Sequence, residues 1–375
     1  MKSIRITEDP KEMVAIAKEI VEGMKEKYDA GMMKIVKDDV QKRFPEMPED
    51  QLMELVYITI YQYWVYGVST DEYFYYDFAN KTREEKLEYM TYRLRLLYGQ
   101  HLNRKDMTHL LTNKFETYNY FKEQYLRDVI LCSAEDDFDA FLAFTQKHPE
   151  FVVKPVDLSG GRGVHKASVA GMNEAEKKQC FLRLLQEGID NKAKYLRGFD
   201  ASVILEELID QNEEMAAFNP ASVNGVRLVT VLRGDEVTPY EAWMKIGRGG
   251  HFLASAVFGT MDAGIDMKTG VINTPGFTEM GECYAAHPDN GLPIVGFQIP
   301  QWQELLALAE ECALKMPFFH YVGWDFVLSK KGWCIMEVNQ CSDFMWQLYR
   351  QRGMKKEFED LIGWKFDKEF WWQGL

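Results

Sequence analysis

Residues 322–339, with the sequence VGWDFVLSKKGWCIMEVN, constrain the fold of this 375-residue chain more than any other segment. Two runs of alternating apolar and polar residues flank Lys330–Gly332, and this pattern predicts a β-hairpin with a three-residue loop. In that register Asp325 lies directly opposite Glu337, and Asn339 follows on the same face. The same alternation places the apolar side chains on the other face: Trp324, Phe326, Leu328, Cys334, Met336 and Val338.

The oxygen-bearing side chains on one face of this hairpin predict a site for a divalent cation. The opposed carboxylates of Asp325 and Glu337 repel each other unless a cation or a proton lies between them. Their flanking residues are Val327 and Ile335 rather than lysines. Two carboxylates and the amide oxygen of Asn339 are ligands that suit Mg²⁺. The alternative is the ordinary solvated face of an amphipathic hairpin.

A glycine-rich segment, FVVKPVDLSGGRGVHKAS at residues 151–168, predicts a phosphate-binding loop. Gly160, Gly161 and Gly163 allow the backbone to turn several N–H groups toward one point, and Lys154 adds a positive charge nearby. The spacing is neither that of a P-loop nor GxGxxG. A plain glycine turn between two strands is the alternative.

The periodicity of the chain changes near residue 112. Residues 1–112 are mostly helical in period, with an aromatic stripe that is typical of a buried core. Beyond this point short helices alternate with β-branched runs bounded by Gly, Pro and Asn. We expect helices at 172–187 and 301–315, and strands at 204–209 and 225–247. The pattern therefore predicts an α+β protein with a helical N-terminal region.

Composition excludes several classes of function. The net charge of −14, without a compensating basic block, disfavours general binding to nucleic acid or to anionic membranes. No stretch reaches the roughly 18 apolar residues of a membrane-spanning helix, and the first residues lack the apolar centre of a signal peptide. We therefore expect a cytoplasmic protein. The six cysteines contain no CxxC pair, which favours buried free thiols: Cys132, Cys180, Cys283, Cys312, Cys334 and Cys341.

Several motifs in order resemble the ATP-grasp superfamily, and more closely its branch associated with sugar transfer and polysaccharide gene clusters. They are VSTDEYFYYDFANKTREEK, LTNKFETYNYFK, VVKP with SGGRGV, LEEL, NPASVNGVRLVT, HPDNG and the hairpin. The resemblance covers most of the chain. It implies an ATP-grasp fold with a helical region at 1–112. The α+β lobes at 113–205 and 206–375 would enclose ATP between them.

The resemblance also implies roles for individual residues. ATP phosphates would be bound by Lys114, Lys154 and the loop Ser159, Gly160, Gly161, Arg162 and Gly163. Adenine would lie against Glu206, Glu207, Leu208 and Ile209, and Glu213 would hold the ribose. Magnesium would be bound by Asp325, Glu337 and Asn339. Arg227 and Lys154 would be catalytic, with Asn224, Lys245 and Arg248 as substrate contacts. The chain departs from the branch at Ala254–Ser255, where an Asp-Asn pair is expected beside the acceptor pocket.

The implied reaction is an ATP- and Mg²⁺-dependent ligation of a carboxylate to an amine. Transfer of the γ-phosphoryl group makes an acylphosphate, so the protein needs lysines, Mg²⁺ and an arginine rather than a side-chain nucleophile. The expected substrates are small molecules: an amino acid, a peptide or a sugar or polysaccharide precursor. Two alternatives stay open, a small-molecule kinase and a nonenzymatic nucleotide-binding module. His165, His251 and His287 show no metal-like spacing, and we expect structural roles for them.

Overall fold

The computed structural model describes residues 4–195, 200–254, 258–340 and 342–374. Ser255 of the predicted acceptor region and Cys341 lie outside the described residues. Contacts divide the chain into two compact units, Met1–Leu102 with Asp343–Leu375, and Asn103–Ser342.

The helices and strands alternate as expected for an α+β protein, and the predicted fold class is confirmed. The helices are α1 (Pro10–Gly23), α2 (Ala30–Arg43), α3 (Glu49–Tyr66), α4 (Thr70–Tyr75), α5 (Arg83–Leu87), α6 (Tyr92–Leu102), α7 (His109–Thr112), α8 (Lys114–Tyr120), α9 (Lys122–Tyr125), α10 (Phe138–Lys147), α11 (Glu174–Tyr195), α12 (Glu213–Ala216), α13 (Trp302–Lys315), α14 (Met345–Arg350) and α15 (Lys355–Ile362). The strands are β1 (Val129–Cys132), β2 (Glu150–Pro155), β3 (His165–Ser168), β4 (Val203–Glu207), β5 (Gly225–Arg233), β6 (Glu236–Ile246), β7 (Met261–Ile265), β8 (Ile272–Thr278), β9 (Cys283–Tyr284), β10 (Tyr321–Ser329) and β11 (Gly332–Asn339).

The first unit is helical and includes both ends of the chain. Capping boxes at Ser69 and Thr82 start α4 and α5 by satisfying the free N–H groups of their first turns. The aromatic residues of α3 are buried, and the Trp64 ring lies 5.5 Å from that of Trp371. The predicted segments, 1–112, 113–205 and 206–375, placed the C-terminal residues in the second lobe. The contact between Trp64 and Trp371 instead joins them to the helical unit. The C-terminal aromatic side chains complete an apolar core that the N-terminal helices alone leave open.

The second unit contains two antiparallel sheets. The smaller sheet has the strand order β1-β4-β2-β3, and the larger has the order β11-β10-β5-β6-β7-β8-β9. One face of the larger sheet packs on α13, so that Val226, Met244 and Ala263 share a core with Leu305 and Ala309. Because side chains alternate along a strand, the intervening residues of β5, β6 and β7 lie on the opposite face. That face carries Arg227 and Lys245 of the predicted site.

The β10–β11 hairpin differs in one respect from the prediction. Ser329 pairs with Gly332, so the loop contains two residues rather than three. The register then shifts between Asp325 and Phe326, where Met336 is the extra residue of a β-bulge. The bulge restores the predicted pairing of Asp325 with Glu337.

The bulge also changes which side chains share the apolar face. Phe326 pairs with Ile335, and Leu328 pairs with Trp333. The expected assignment of Cys334 and Met336 to that face is therefore wrong, because the prediction placed the extra residue in the loop instead of the strand.

Two further expectations concern membranes and cysteines. Within the described ranges, no helix combines the length and the apolar character needed to cross a bilayer. Cys132, Cys180, Cys312 and Cys334 are buried free thiols, as predicted, whereas Cys283 is a free thiol on the surface. Cys283 is exposed because it lies in β9, the short edge strand of the larger sheet.

Candidate functional site

A buried ion-pair network in the second unit joins Lys154 on β2, Glu206 on β4 and Arg127, which precedes β1. Glu206 on β4 accepts hydrogen bonds on one carboxylate oxygen from Lys154 of β2 and from Arg127, both over 2.9 Å. Lys154 stands diagonally across from Glu206, because β2 pairs with β4 in antiparallel register. All three side chains are largely withdrawn from solvent. The Lys154 ammonium is thus held in place by a carboxylate, as a preorganised phosphate ligand would require.

Arg127 is a member of this network that the sequence analysis missed. Its Nη1 atom donates to the carbonyl of Ile335 over 2.6 Å and to that of Tyr125 over 3.2 Å. Ile335 immediately precedes the bulged residue of β11, so Arg127 connects the smaller sheet to the strand that carries Glu337. No spacing or motif marks this arginine, since its partners are distant in sequence.

The charge state of Glu206 follows from its two cationic neighbours. Burial by itself raises the pKa of the carboxyl, because the charged form is poorly solvated inside the protein. The charges and hydrogen bonds of Arg127 and Lys154 outweigh that effect and lower the pKa to about 2. Glu206 is therefore ionised at neutral pH. Its side chain accepts a hydrogen bond from Lys154, and its backbone is part of β4.

Lys114 provides a second cation close to the hairpin. It is the first residue of α8, where the Asn113 side chain caps the helix. Its Nζ atom donates to the carbonyl of Leu158 and lies 3.8 Å from a carboxylate oxygen of Glu337. Burial lowers the pKa of Lys114, and the nearby charge of Lys154 acts in the same direction. The structure thus brings together the two lysines that the sequence assigns to the phosphates.

The glycine-rich segment forms a turn between β2 and β3. Gly160, Gly161 and Gly163 have φ values of 68°, 71° and 73°, in the left-handed region that favours glycine. Arg162 donates from Nε and Nη2 to the backbone carbonyl and hydroxyl of Ser159, over 2.9 and 3.2 Å. The segment therefore has the backbone conformation that the predicted phosphate loop needs, and the turn alternative shares that conformation.

The predicted adenine region lies where β4 ends. Glu207 accepts hydrogen bonds from the backbone N–H of Asp128 and from Lys331, whereas Leu208 and Ile209 continue into a loop. A cavity of about 80 Å³ adjoins this loop. Its lining includes these residues: Arg127, Glu207, Leu208, Ile209, Lys330 and Cys334. Glu213, the predicted ribose ligand, is the exposed first residue of α12.

Arg227 and Asp325 form a buried bidentate ion pair between β5 and β10. Nε and Nη2 of Arg227 donate to the two carboxylate oxygens over 2.5 and 2.7 Å. The strands place them directly opposite each other. Burial favours the neutral acid, but the Arg227 guanidinium holds the pKa of Asp325 below its ordinary value. The sequence assigns these residues to different ligands and does not predict that they pair.

The donor set at the hairpin fits a hard cation. Glu337 is 36% exposed, and Asn339 donates from its Nδ2 atom to Asp325 over 3.4 Å, so that its amide oxygen is directed elsewhere. A carboxylate has about four lone-pair positions, and the oxygens of Asp325 can accept from Arg227 and still contact a cation. The two carboxylates are ligands that suit Mg²⁺, and the amide oxygen of Asn339 would join them only after its side chain turns over.

Asn224, a predicted substrate contact, is buried and hydrogen-bonded within the protein. Its Nδ2 atom donates to the carbonyls of Met215 and Asn219, and its Oδ1 atom accepts from the N–H of Gly247. A direct contact with substrate would require one of these bonds to break. The neighbouring His287 is also buried, with Nε2 at 2.9 Å from the carbonyl of Gly247.

The other two predicted substrate contacts lie farther along β6 and the following loop. Lys245 is partly exposed, with its Nζ atom 3.8 Å from Oδ1 of Asp262. Arg248 lies 3.3 Å from a carboxylate oxygen of Glu282 and over the ring of Tyr284. Asp262 is a second residue that the sequence analysis missed, although its charged position in an otherwise apolar strand is a signal that could have identified it.

Comparison with known proteins bears out the predicted resemblance. The model of a family described as sugar-transfer associated ATP-grasp matches residues 93–361. No curated protein matches the chain.

Solved structures show distant similarity at 10–14% identity, each over 70% of this chain. They include the D-alanyl-alanine synthetase A from Vibrio cholerae O1 biovar eltor str. N16961 (11% identity, 64% of that chain, TM-score 0.40). A second is the D-alanine–D-alanine ligase from Helicobacter pylori, at 14% identity over 60% of that chain with a TM-score of 0.40. A third is the biotin carboxylase from Campylobacter jejuni, at 10% identity over 48% of that chain with a TM-score of 0.43. The chain spans less than two thirds of the length of each of these proteins.

Proposed function

Because this chain belongs to the sugar-transfer associated ATP-grasp family, we propose that it is an ATP- and Mg²⁺-dependent ligase joining a carboxylate to an amine. One observation carries the proposal. Each of the opposed hairpin carboxylates has a cation beside it, because Lys114 lies 3.8 Å from Glu337 and Arg227 pairs with Asp325. A plain solvated face would have no reason to collect these charges in partly buried positions, where each loses hydration.

The nucleotide would be bound by the groups that surround this hairpin. Lys154, fixed by Glu206, and Lys114 offset the charge of the phosphates, and the glycine loop at 159–163 directs backbone N–H groups toward them. The end of β4, Glu206–Ile209, offers backbone groups to adenine. Glu213 accepts hydrogen bonds from the ribose.

The metal site of this proposal consists of Asp325, Glu337 and Asn339. When bound there, Mg²⁺ neutralises phosphate charge and orients the transferred group. The protein's part is to hold the ligand oxygens in register, which the bulge of β11 accomplishes by placing Glu337 opposite Asp325.

The chemistry requires alignment and charge compensation. A carboxylate becomes an electrophile once its oxygen receives the γ-phosphoryl group and turns into a leaving group. Nε and Nη2 of Arg227 donate to Asp325, and the remaining N–H groups of the guanidinium would stabilise the charge that develops on the phosphoryl and acyl oxygens. An amine then attacks the acyl carbon, forms the amide and releases phosphate. The substrates would be an amino acid, a peptide or a sugar or polysaccharide precursor.

Hydroxylamine trapping tests this function without knowledge of the natural amine. The purified chain is incubated with ATP, Mg²⁺ and a panel of amino acids, short peptides and sugar acids, each with hydroxylamine. ADP release together with a hydroxamate, identified by mass spectrometry, is the expected result. A stable phosphate ester without hydroxamate would indicate the kinase instead. Nucleotide binding without ADP release across the panel would indicate a binding module.

A further inference from the structure

Asp262 is a charged residue on the site-bearing face of the larger sheet. It lies in β7, between Met261 and Ala263, which are both buried in the core beneath that sheet. The strand register pairs Asp262 with Lys245 on β6 and with Phe277 on β8. The alternation of β7 therefore turns the carboxylate away from the core.

The face around Asp262 is continuous with the proposed phosphoryl-transfer site. Arg227 pairs with Trp243, and Lys245 follows two residues later on the same face of β6. Diagonal neighbours on a sheet are about 7–8 Å apart, so Arg227, Lys245 and Asp262 lie along one path across three strands. The Arg227 guanidinium lies 5.8 Å from the centre of the Trp243 ring.

Two buried polar atoms on this face have no hydrogen-bond partner among the described residues. They are Oδ1 of Asp262 and Nε1 of Trp243, whose side chain is almost completely buried. Lys245 lies 3.8 Å from that oxygen, too far for a hydrogen bond, and both charged side chains are 25% exposed. The unpaired oxygen is itself buried and lacks the hydrogen bond that a buried oxygen ordinarily has, while part of the side chain remains exposed.

The surroundings of Asp262 have opposing effects on the pKa of its carboxyl group. Burial raises the pKa of its carboxyl, and the charge of Asp325 on β10 acts in the same direction. Lys245 on β6 and Arg227 on β5 oppose this effect. The β8 neighbour, Phe277, carries no charge. A carboxyl group with a raised pKa accepts a proton more readily than one at the surface.

We propose that Asp262 binds the ammonium group of an acceptor that carries a primary amine and removes its proton before attack on the acylphosphate. The inference rests on the proposed function. One N–H proton passes to the Asp262 carboxylate, and the freed electron pair forms the C–N bond. The C–O bond to phosphate breaks, and phosphate leaves with that electron pair. The remaining excess proton on nitrogen passes to the departing phosphate, and Asp262 returns its own proton to solvent.

This assignment selects amines among possible acceptors. An amine is mostly protonated at neutral pH and cannot attack in that form, so it benefits from an adjacent carboxylate both for binding and for proton removal. Burial raises the pKa of Asp262, and the positive charge of Lys245 opposes this effect and so favours the carboxylate form.

The test compares two nucleophiles in the isosteric variant Asp262→Asn. Hydroxylamine is largely unprotonated at neutral pH and needs no base, whereas an alkyl amine does. With a carboxylate found by hydroxylamine trapping, primary amines are screened against the wild-type chain for amide formation. D262N should form hydroxamate within about twofold of wild type, but lose on the order of 100-fold in amide formation. Glu310→Gln, an exposed change on α13, is the matched control and should alter neither rate.

A second variant gives a readout that a purely structural ion pair would not change. Amide formation should fall at acidic pH as Asp262 becomes protonated. In Lys245→Met this acidic limb should move to higher pH, because the cation that favours the carboxylate is removed. Normal amide formation by D262N, equal loss of both products, or an unshifted limb in K245M would each overturn the proposal. Absence of hydroxamate from the wild-type chain would instead refute the ligase function itself.

Discussion

Replacing Glu206 with glutamine tests the buried network with a magnitude that follows from the structure. Arg127 and Lys154 lower the pKa of this carboxyl against the opposing effect of burial, from 4.5 to about 2. Since one pH unit corresponds to about 1.4 kcal/mol, ionised Glu206 contributes about 3 kcal/mol to the free energy of unfolding at neutral pH. E206Q keeps the shape of the side chain without its charge and should lose about this amount.

The pH dependence of this contribution has a definite sign. The pKa of Glu206 is lower in the folded protein, so its stabilising effect is complete above the unfolded-state pKa near 4.5. The effect is lost as the pH falls through the folded-state pKa of about 2. The difference in stability between wild type and E206Q should therefore shrink below about pH 5, with roughly half or more gone by pH 3.

Urea unfolding over a pH series measures this difference. Pulse-labelled hydrogen exchange of the peptide that contains β4 reports the smaller sheet separately from the helical unit. Glu150→Gln is the matched control, because Glu150 lies at the start of β2, is 51% exposed and pairs only with Lys166 at 3.1 Å among its described salt bridges. The control should change stability by less than about 0.5 kcal/mol. A gap between wild type and E206Q that stays constant between about pH 7 and pH 3 would refute the reasoning.

Substitutions at three further residues test the proposed roles. Glu337→Gln should reduce ADP release on the order of 100-fold while the melting temperature is unchanged, since Glu337 is partly exposed; wild-type rates at limiting Mg²⁺ would contradict the ligand role. Lys154→Met should weaken Mg-ADP binding about tenfold, measured by calorimetry, and should also lower the stability of the nucleotide-free protein. The exposed control Lys166→Met should change neither the affinity nor the stability. Unchanged affinity in Lys154→Met would exclude the phosphate contact. Arg227→Lys keeps a charge opposite Asp325 but loses the bidentate fork, so turnover should fall about 100-fold with little change in ATP affinity. Arg227→Ala should also cost about 3–5 kcal/mol of stability, read from the unfolding midpoint, because Asp325 would stay buried without its partner.

The local features of this protein follow from its amino-acid sequence. Period-two alternation predicted the hairpin strands, because each side chain's face depends only on its position along the strand. The pairing of Asp325 with Glu337 was predicted from a three-residue loop, and it is present despite the shorter loop because a β-bulge compensates. The order of the motifs identified the family and the α+β class, and the glycines of residues 160–163 marked a backbone turn with positive φ.

The tertiary structure alone decided how these features are joined. Arg127 and Ile335 are separated by 208 residues, Arg227 and Asp325 by 98, and no local pattern connects either pair. The β-bulge likewise compensates for the shorter loop, and alternation on either side of it does not reveal where the extra residue lies. Charged side chains pair according to strand register and burial, and both are set when distant strands form one sheet. For this reason the sequence predicted roles for Arg227 and Asp325 but not their pairing, and it left Arg127 and Asp262 out of the predicted site.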